Sequence, residues 1–277
     1  MERSTIMHLT VIADDFCPNA RLRGEHGLSF FIETPRGNIL FDTGAGGSIL
    51  HNMKELRVEP DNIDNIVLSH GHCDHTGGLI PLLQRNSRIP VWAESNFDTI
   101  RYSLKGGRRR YNGNLYPRQA MEFHAIENGM EIIDNVTAVR VPVSRRENRY
   151  IPLAKELVTL NSQGRYEKDL FKDDISLLVK GRYGYSVILG CAHSGIYNIL
   201  NEIKRTFGLE SFYAVIGGMH LKSQTIDFIS NTASAIASSF TIQKWFPNHC
   251  TGIEALIPMS EYLDNIHWAS SGMKIEI

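Results

Sequence analysis

The run His70-Gly71-His72-Cys73-Asp74-His75 constrains this chain more than any other stretch. It sets three imidazoles and a carboxylate directly after the apolar Ile66-Val67-Leu68. In extended backbone, positions i and i+2 point the same way, so the rings of His70 and His72 can reach one ion. Asp74 and His75 follow as the chain turns into a helix and can face a second ion beside the first. Thr76-Gly77-Gly78 lets the backbone turn tightly beneath them. Neutral imidazole is the commonest side-chain metal ligand, and carboxylates complete hard or borderline sites. A solvated turn accounts for one histidine. Three histidines and an aspartate ending a buried strand call for a cation.

Four positions do not saturate two ions, so the second half must supply more ligands. His193, His220 and His249 each follow a strand-like run, VILGCAH, AVIGGMH and KWFPNH. Strand ends on one edge of a sheet converge, and catalytic groups gather there. His8, His26, His51, His124 and His267 read as surface or core residues, although His26 lies in EHGLSFF, which leads into the first strand.

Periodicity organises the rest. Residues 27–34 and 37–43 read as strands joined at Pro35-Arg36, and residues 48–58 as a helix with Ser48 as its N-cap. A strand over 63–69, a helix opening at 76–84 and a strand from 91 follow. The stretch 96–130 breaks this rhythm with the basic KGGRRRYNGN and reads as a surface insertion or cap. Residues 141–174 are similarly polar, with Arg145, Arg146 and Arg149 close together. Alternation then returns: strands at 175–180 and 185–190, a helix at 195–207, a strand at 212–216, a helix at 225–240, a strand into Pro247 and a last helix near 253–264. This order predicts an α/β architecture, two sheets packed face to face with helices outside. We read residues 1–277 as a single domain carrying the 96–130 insertion.

A net charge of -1 provides no field for nucleic acid or an anionic membrane. Four cysteines without a CxxC pair suggest no disulfide framework and a reducing cytoplasm. The charged start of the chain is unlike a signal peptide, and no run approaches the ~18 apolar residues of a membrane span. The expectation is a soluble cytoplasmic protein.

The H-x-H-x-D-H pattern, matched at every specified position, resembles the metallo-β-lactamase superfamily. The resemblance implies an αββα sandwich of two mixed sheets, with two divalent metal ions at one edge between them. Zinc is the first expectation; manganese and iron suit the same ligands. The first-half ligands would be His70, His72, Asp74 and His75. Asp42 in LFDTG would orient the metal loop without binding metal. His249 would be the last ligand, and His193 would complete the first site. Many members carry Gly-Asp after this strand, the aspartate bridging the ions; here the pair is Gly190-Cys191. Either Cys191 is a thiolate ligand, or His193 takes over, or the second ion is weakly held. His220 has no ligand slot left and is expected to contact substrate or transfer a proton. Cys73 is expected to pack.

The segments EHGLSFFIE, LFDTG, LSHGHCDHTGGL, GCAHSGI, VIGGMHL and HCTG together resemble one group of metal-dependent, hydrolase-like proteins. That group includes 7,8-dihydropterin-6-methyl-4-(β-D-ribofuranosyl)aminobenzene-5'-phosphate synthase. A dinuclear site stays net positive after Asp74, a bridging hydroxide and even a Cys191 thiolate are counted, so it favours a small anionic substrate. Lys105, Arg108, Arg109 and Arg110 could hold a phosphate above the metals; a solvated basic loop is the plainer alternative. The expected activity is hydrolysis of a phosphorylated or other anionic molecule by a metal-bound hydroxide. Asp74 would orient the hydroxide and His220 would protonate the leaving group. The alternatives are transfer of a dihydropterin diphosphate to an arylamine under a water-excluding cap, and a non-catalytic metal or redox protein on the same scaffold. No nucleic-acid or membrane partner is expected.

Overall fold

Short apolar runs separated by polar turns pair into sheets in the computed structural model, which describes residues 6–277. The first half contributes β1 (His8–Ala13), β2 (Ser29–Thr34), β3 (Gly37–Phe41), β4 (Asn65–Val67) and β5 (Val91–Ala93). Between them lie the helices α1 (Ile49–Leu56), α2 (Cys73–Thr76) and α3 (Leu79–Arg85). The polar middle forms β6 (Arg101–Lys105), β7 (Arg108–Tyr111), β8 (Phe123–Ala125), β9 (Glu131–Ile133), β10 (Val136–Arg140), β11 (Leu157–Leu160) and β12 (Tyr166–Lys168). The last part holds β13 (Ile175–Gly181), β14 (Gly184–Leu189), α4 (Ile196–Phe207), β15 (Ser211–Gly217), α5 (Ile226–Ser239), β16 (Thr241–Pro247), α6 (Leu256–Ser260) and β17 (Lys274–Glu276).

One sheet runs β17-β1-β2-β3-β4-β5-β8 and a second runs β16-β15-β14-β13-β10-β9. Phe30, Ile32, Phe41 and Val67 of the first meet Leu177, Val179, Ile188 and Ile216 of the second in a shared core. The opposite faces are also apolar. Phe31, Leu40, Ile66 and Leu68 pack against Ile49 and Met53 of α1 and Leu79 and Leu82 of α3. Leu178, Val187, Leu189 and Val215 pack against Ile199 and Ile203 of α4 and Ile229 and Ile236 of α5. Strands buried on both faces need continuous rather than alternating apolar residues, which is how LSFFI, ILF and IVL read. The architecture is the expected sandwich, helix layer on sheet, sheet on sheet, sheet on helix layer.

Several boundaries differ from the expectation. The hairpin forms at Pro35-Arg36, with Thr34 paired to Gly37. Ser48, however, makes no capping bond with its side chain. The Glu25 carboxylate accepts from the N–H groups of Ala45, Gly47 and Ser48 instead. The helix expected over 76–84 is two pieces, α2 and α3. Within 96–130, β6 and β7 pair into a separate sheet of order β12-β11-β6-β7, whereas β8 adds to the edge of the seven-stranded sheet. The small sheet therefore draws on both polar stretches. No helix among the described residues is long and apolar enough to cross a membrane.

β3, β4, β5 and β8 are mutually parallel, as are β14, β15 and β16. β1, two antiparallel steps from β3, also runs in its direction. The carboxyl ends of β1, β3, β4, β14, β15 and β16 thus open onto one edge, and the loops after them carry Asp14, Asp42, His70, His193, His220 and His249.

Candidate metal centre

The carboxyl end of β4 delivers the loop Ser69–His72, and α2 then presents Asp74 and His75. His70 Nε2 lies 3.0 Å from His72 Nδ1. Gly71 between them is required sterically: a Cβ there would sit 1.5 Å from the Phe97 carbonyl oxygen. Its N–H donates to Asp173 Oδ2 at 2.9 Å, and Asp173 in turn takes a 2.6 Å bond from the buried Arg101, which also binds Asp169. From the end of β3, Asp42 Oδ2 accepts from His75 Nδ1 at 2.7 Å and from Ser69 Oγ at 2.6 Å, while Oδ1 accepts from Ser69 N. Ser69 Oγ also meets His70 Nδ1 at 2.8 Å. With their Nδ1 atoms engaged, His70 and His75 turn Nε2 inward.

The second sheet brings its own donors to the same place. His193, after β14, has its ring centroid 4.8 Å from that of His70 and 5.2 Å from that of His72. Phe171 stacks on its other face at 3.8 Å. His249, after β16, lies 5.0 Å from His75 ring to ring, with Nε2 3.5 Å from Asp74 Oδ2. Cys191 Sγ is 3.1 Å from His75 Nε2. His220, after β15, lies 4.5 Å from His193 ring to ring.

Burial shapes the protonation of this cluster. Desolvation, reinforced by neighbouring imidazoles, holds His70 and His193 well below the usual histidine range. Burial takes His72 down to about 3 even though the Asp74 charge opposes it. Burial would raise Asp74, but His75 and then His249 hold it well below the ordinary carboxylate range. His249 goes the other way: burial lowers it, and the Asp15 hydrogen bond together with the nearby Asp74 carboxylate outweighs that effect and raises it well above. His70, His72 and His193 therefore offer neutral nitrogens and Asp74 an ionised carboxylate, the forms that bind metal, whereas His249 would release its proton as an ion binds.

Buried nitrogens here also lack partners. His72 Nε2, both ring nitrogens of His193, and His249 Nε2 make no hydrogen bond. An unpaired buried polar atom costs about 1–3 kcal/mol, and several at one point are tolerable only if something else satisfies them. His70, Cys191 and His193 offer donor atoms within 4.8 Å of one another, and so do His75, Cys191 and His249. These residues fit divalent metal.

Comparison with known proteins bears on the family. A family model described as the metallo-beta-lactamase superfamily matches residues 22–156. The 7,8-dihydropterin-6-methyl-4-(beta-D-ribofuranosyl)-aminobenzene-5'-phosphate synthase of Methanocaldococcus jannaschii is 29% identical, over 88% of this chain and 87% of the synthase. An uncharacterized protein of the same organism is 30% identical, over 91% of this chain and 94% of its own length. The crystal structure of a metal-dependent hydrolase of the beta-lactamase superfamily matches with a TM-score of 0.84 and 29% identity, covering 98% of this chain and 99% of that one. The chain belongs to the metallo-β-lactamase superfamily.

Within that superfamily frame, the fold brings His70, His72, Asp74, His75, His193, His249 and Cys191 together. His220 stands beside them, with Nδ1 buried and unpartnered and its backbone N–H donated to Cys250 Sγ at 3.2 Å. Lys105, Arg108, Arg109 and Arg110 lie on the β6–β7 hairpin, exposed. Arg109 is bonded to the Tyr166 hydroxyl and lies over the Tyr102 and Tyr166 rings, which commits it to the small sheet. Arg110 is different. The strand end after it pairs with the metal loop, Cys73 N donating to Asn112 O at 2.9 Å, and its charge reaches the half-buried Cys73 thiol.

Other residues of this superfamily site escaped the sequence reading. Asp15 accepts from His249 Nδ1 at 2.6 Å and from His26 Nδ1 at 2.9 Å, and these bonds hold it well below the usual range although burial opposes them. Asp14 accepts from the backbone N–H of His249 at 2.8 Å. His26, read as surface or core, has Nε2 3.4 Å from Asp74 Oδ2, so it belongs to the mouth of the site. The available signal was the Asp14-Asp15 pair ending an apolar strand. Arg101 and Asp173 carried no signal.

Proposed function

We propose that this chain, read as one domain over residues 1–277, is a metal-dependent hydrolase of small anionic substrates. One observation carries the reading: unpartnered buried nitrogens of His72, His193 and His249 converge around the ionised Asp74 at an edge where six strand ends open. Divalent ions held there, zinc in the first instance, would supply Lewis acidity that acidifies water and attracts anionic oxygens. His70, His72 and His193 would hold one ion; Asp74, His75 and His249 would hold the other, with Cys191 near both. Asp74 would also orient the attacking water. His220 lies close enough to His193 to act at the leaving group, and its unpartnered Nδ1 is the atom that would give up the proton. Arg110 is the arginine placed to hold a distal anion, with the small sheet as a cap.

The match to the dihydropterin–aminobenzene phosphate synthase over most of both chains favours a second reading. There an arylamine rather than water would attack the carbon that bears the diphosphate, forming a C–N bond and releasing diphosphate and a proton. Metal-reconstituted protein should be assayed on phosphomonoesters, phosphodiesters and a dihydropterin diphosphate, the last with and without an arylamine. Metal-dependent turnover without amine supports the hydrolase. A coupled product formed only with amine supports the transferase. His72→Ala and His249→Ala should each lose metal and activity while keeping the fold; full metal content in either would remove that residue from the ligand set.

A further inference from the structure

Among the described residues, Cys191 is the donor common to both histidine pairs. Its sulfur lies within 4.8 Å of the ligand nitrogens of His70 and His193, and within the same limit of those of His75 and His249. It is 3% exposed, and its sulfur meets His75 Nε2 at 3.1 Å and the Cys250 thiol. The backbone is committed to this placement. Ala192, the next residue, has φ +51, a left-handed conformation that costs a non-glycine residue energy, and the turn there leaves Cys191 and His193 both at the cluster. The neighbouring Cys250 thiol groups instead with Cys191 and His220 within 4.8 Å; its Sγ accepts the His220 N–H at 3.2 Å and faces the Cys191 carbonyl oxygen, 3.7 Å away.

We infer that Cys191 binds as a thiolate shared by both ions, taking the central position between the two ligand sets. The inference rests on the dinuclear reading above. On loading, the Sγ–H bond breaks, its proton leaves to solvent, and one sulfur–metal bond forms to each ion; nothing is oxidised or reduced. A soft sulfur at the shared position biases the site toward zinc or iron and away from magnesium or manganese, which prefer all-oxygen surroundings.

Cobalt(II) titration of the full chain tests this, because thiolate coordination gives near-ultraviolet charge-transfer absorption that imidazole and carboxylate do not. The wild type should take up two equivalents and develop that band. Cys191→Ser should lose the band and the second equivalent. Cys250→Ser should keep both. Cys191→Asp should keep two equivalents without the band, which also guards against a Cys191→Ser variant that fails to fold. A band that survives in Cys191→Ser, or two equivalents bound by the wild type with no band, would overturn the shared thiolate and leave the dinuclear site standing. No cobalt uptake by the wild type would overturn both.

Discussion

Asp42 shows how much the proposed metal site would depend on residues outside its ligand set. Its φ of +59 swings the chain out of β3, and its carboxylate then fixes Ser69 and the Nδ1 atom of His75 at once. Through Ser69 Oγ the same arrangement reaches His70 Nδ1, so two imidazoles are held in the tautomer that turns Nε2 inward. Removing such a support usually lowers metal affinity by about 10–100-fold. Asp42→Ala should therefore bind metal within that range more weakly than the wild type in a competition titration against a chelator. Unchanged affinity would show that packing alone orients the rings. At Gly71 the constraint is steric and absolute, which explains why the second position of the run carries no side chain.

At the scale of elements, two placements make opposite predictions for residues that look equivalent in sequence. Ser48 occupies the N-cap position of α1, but its hydroxyl is buried without a partner, and Glu25 takes the N–H groups of the preceding turn. Glu25→Ala should cost about 1.5–3 kcal/mol, the range for hydrogen bonds to a charged group. Ser48→Ala should cost less than the ~1 kcal/mol typical of a working cap. Urea midpoints of the two variants check this, and equal losses would return the cap to Ser48. The β6–β7 hairpin offers the second contrast. Arg110 stands nearest the metal loop, Arg109 is held by two tyrosines, and Arg108 pairs with Lys105 at the hairpin end. Arg110→Ala should raise KM for a phosphorylated substrate by roughly 10- to 150-fold with little change in kcat, the pattern of lost uniform binding. Arg108→Ala should change neither. If both variants behave like the wild type, the hairpin is a solvated surface and the metals alone select the anion.

Across the whole molecule, the loop that carries His70 and His72 is anchored to Asp173, 102 positions from Gly71, and through it to Arg101. Arg101 and Asp173 are both buried, and Asp173 also accepts from Gly71. Burial pushes Asp173 up to about 6, the Arg101 guanidinium working against the rise and Asp169 adding to it. The consequence for stability has a definite sign. Below about pH 4 the carboxyl is protonated in both folded and unfolded chains and has no effect. Between about pH 4 and 6 the unfolded chain releases the proton while the fold retains it, so stability falls as pH rises, by up to ~3 kcal/mol, and is level above. Asp173→Asn removes this titration. The stability of the wild type relative to Asp173→Asn should therefore drop across pH 4–6 in urea unfolding, and a flat or rising difference would contradict the buried, protonated carboxyl.

The parts of this protein that its sequence determined by itself are those whose residues are neighbours along the chain. His70 to His75 were legible as one cluster, because an extended backbone and the first turn of a helix bring side chains this close in sequence to one side, although Asp42 and Ser69 then fix the rings. The doubly apolar strands announced two covered faces, and His193, His220 and His249 were visible as strand ends. The tertiary structure decided which strand ends meet. Hydrophobic periodicity says which face is buried but not which edge lies beside which, so Asp15 reaching His249 across 234 positions had no local mark. The same holds for Arg101 behind Gly71, for Glu25 displacing Ser48, and for His26 at the mouth of the site. Cys191 illustrates the division best. Its position after β14 was legible, but its nearness to both histidine pairs exists only because the two sheets place their carboxyl ends at one edge.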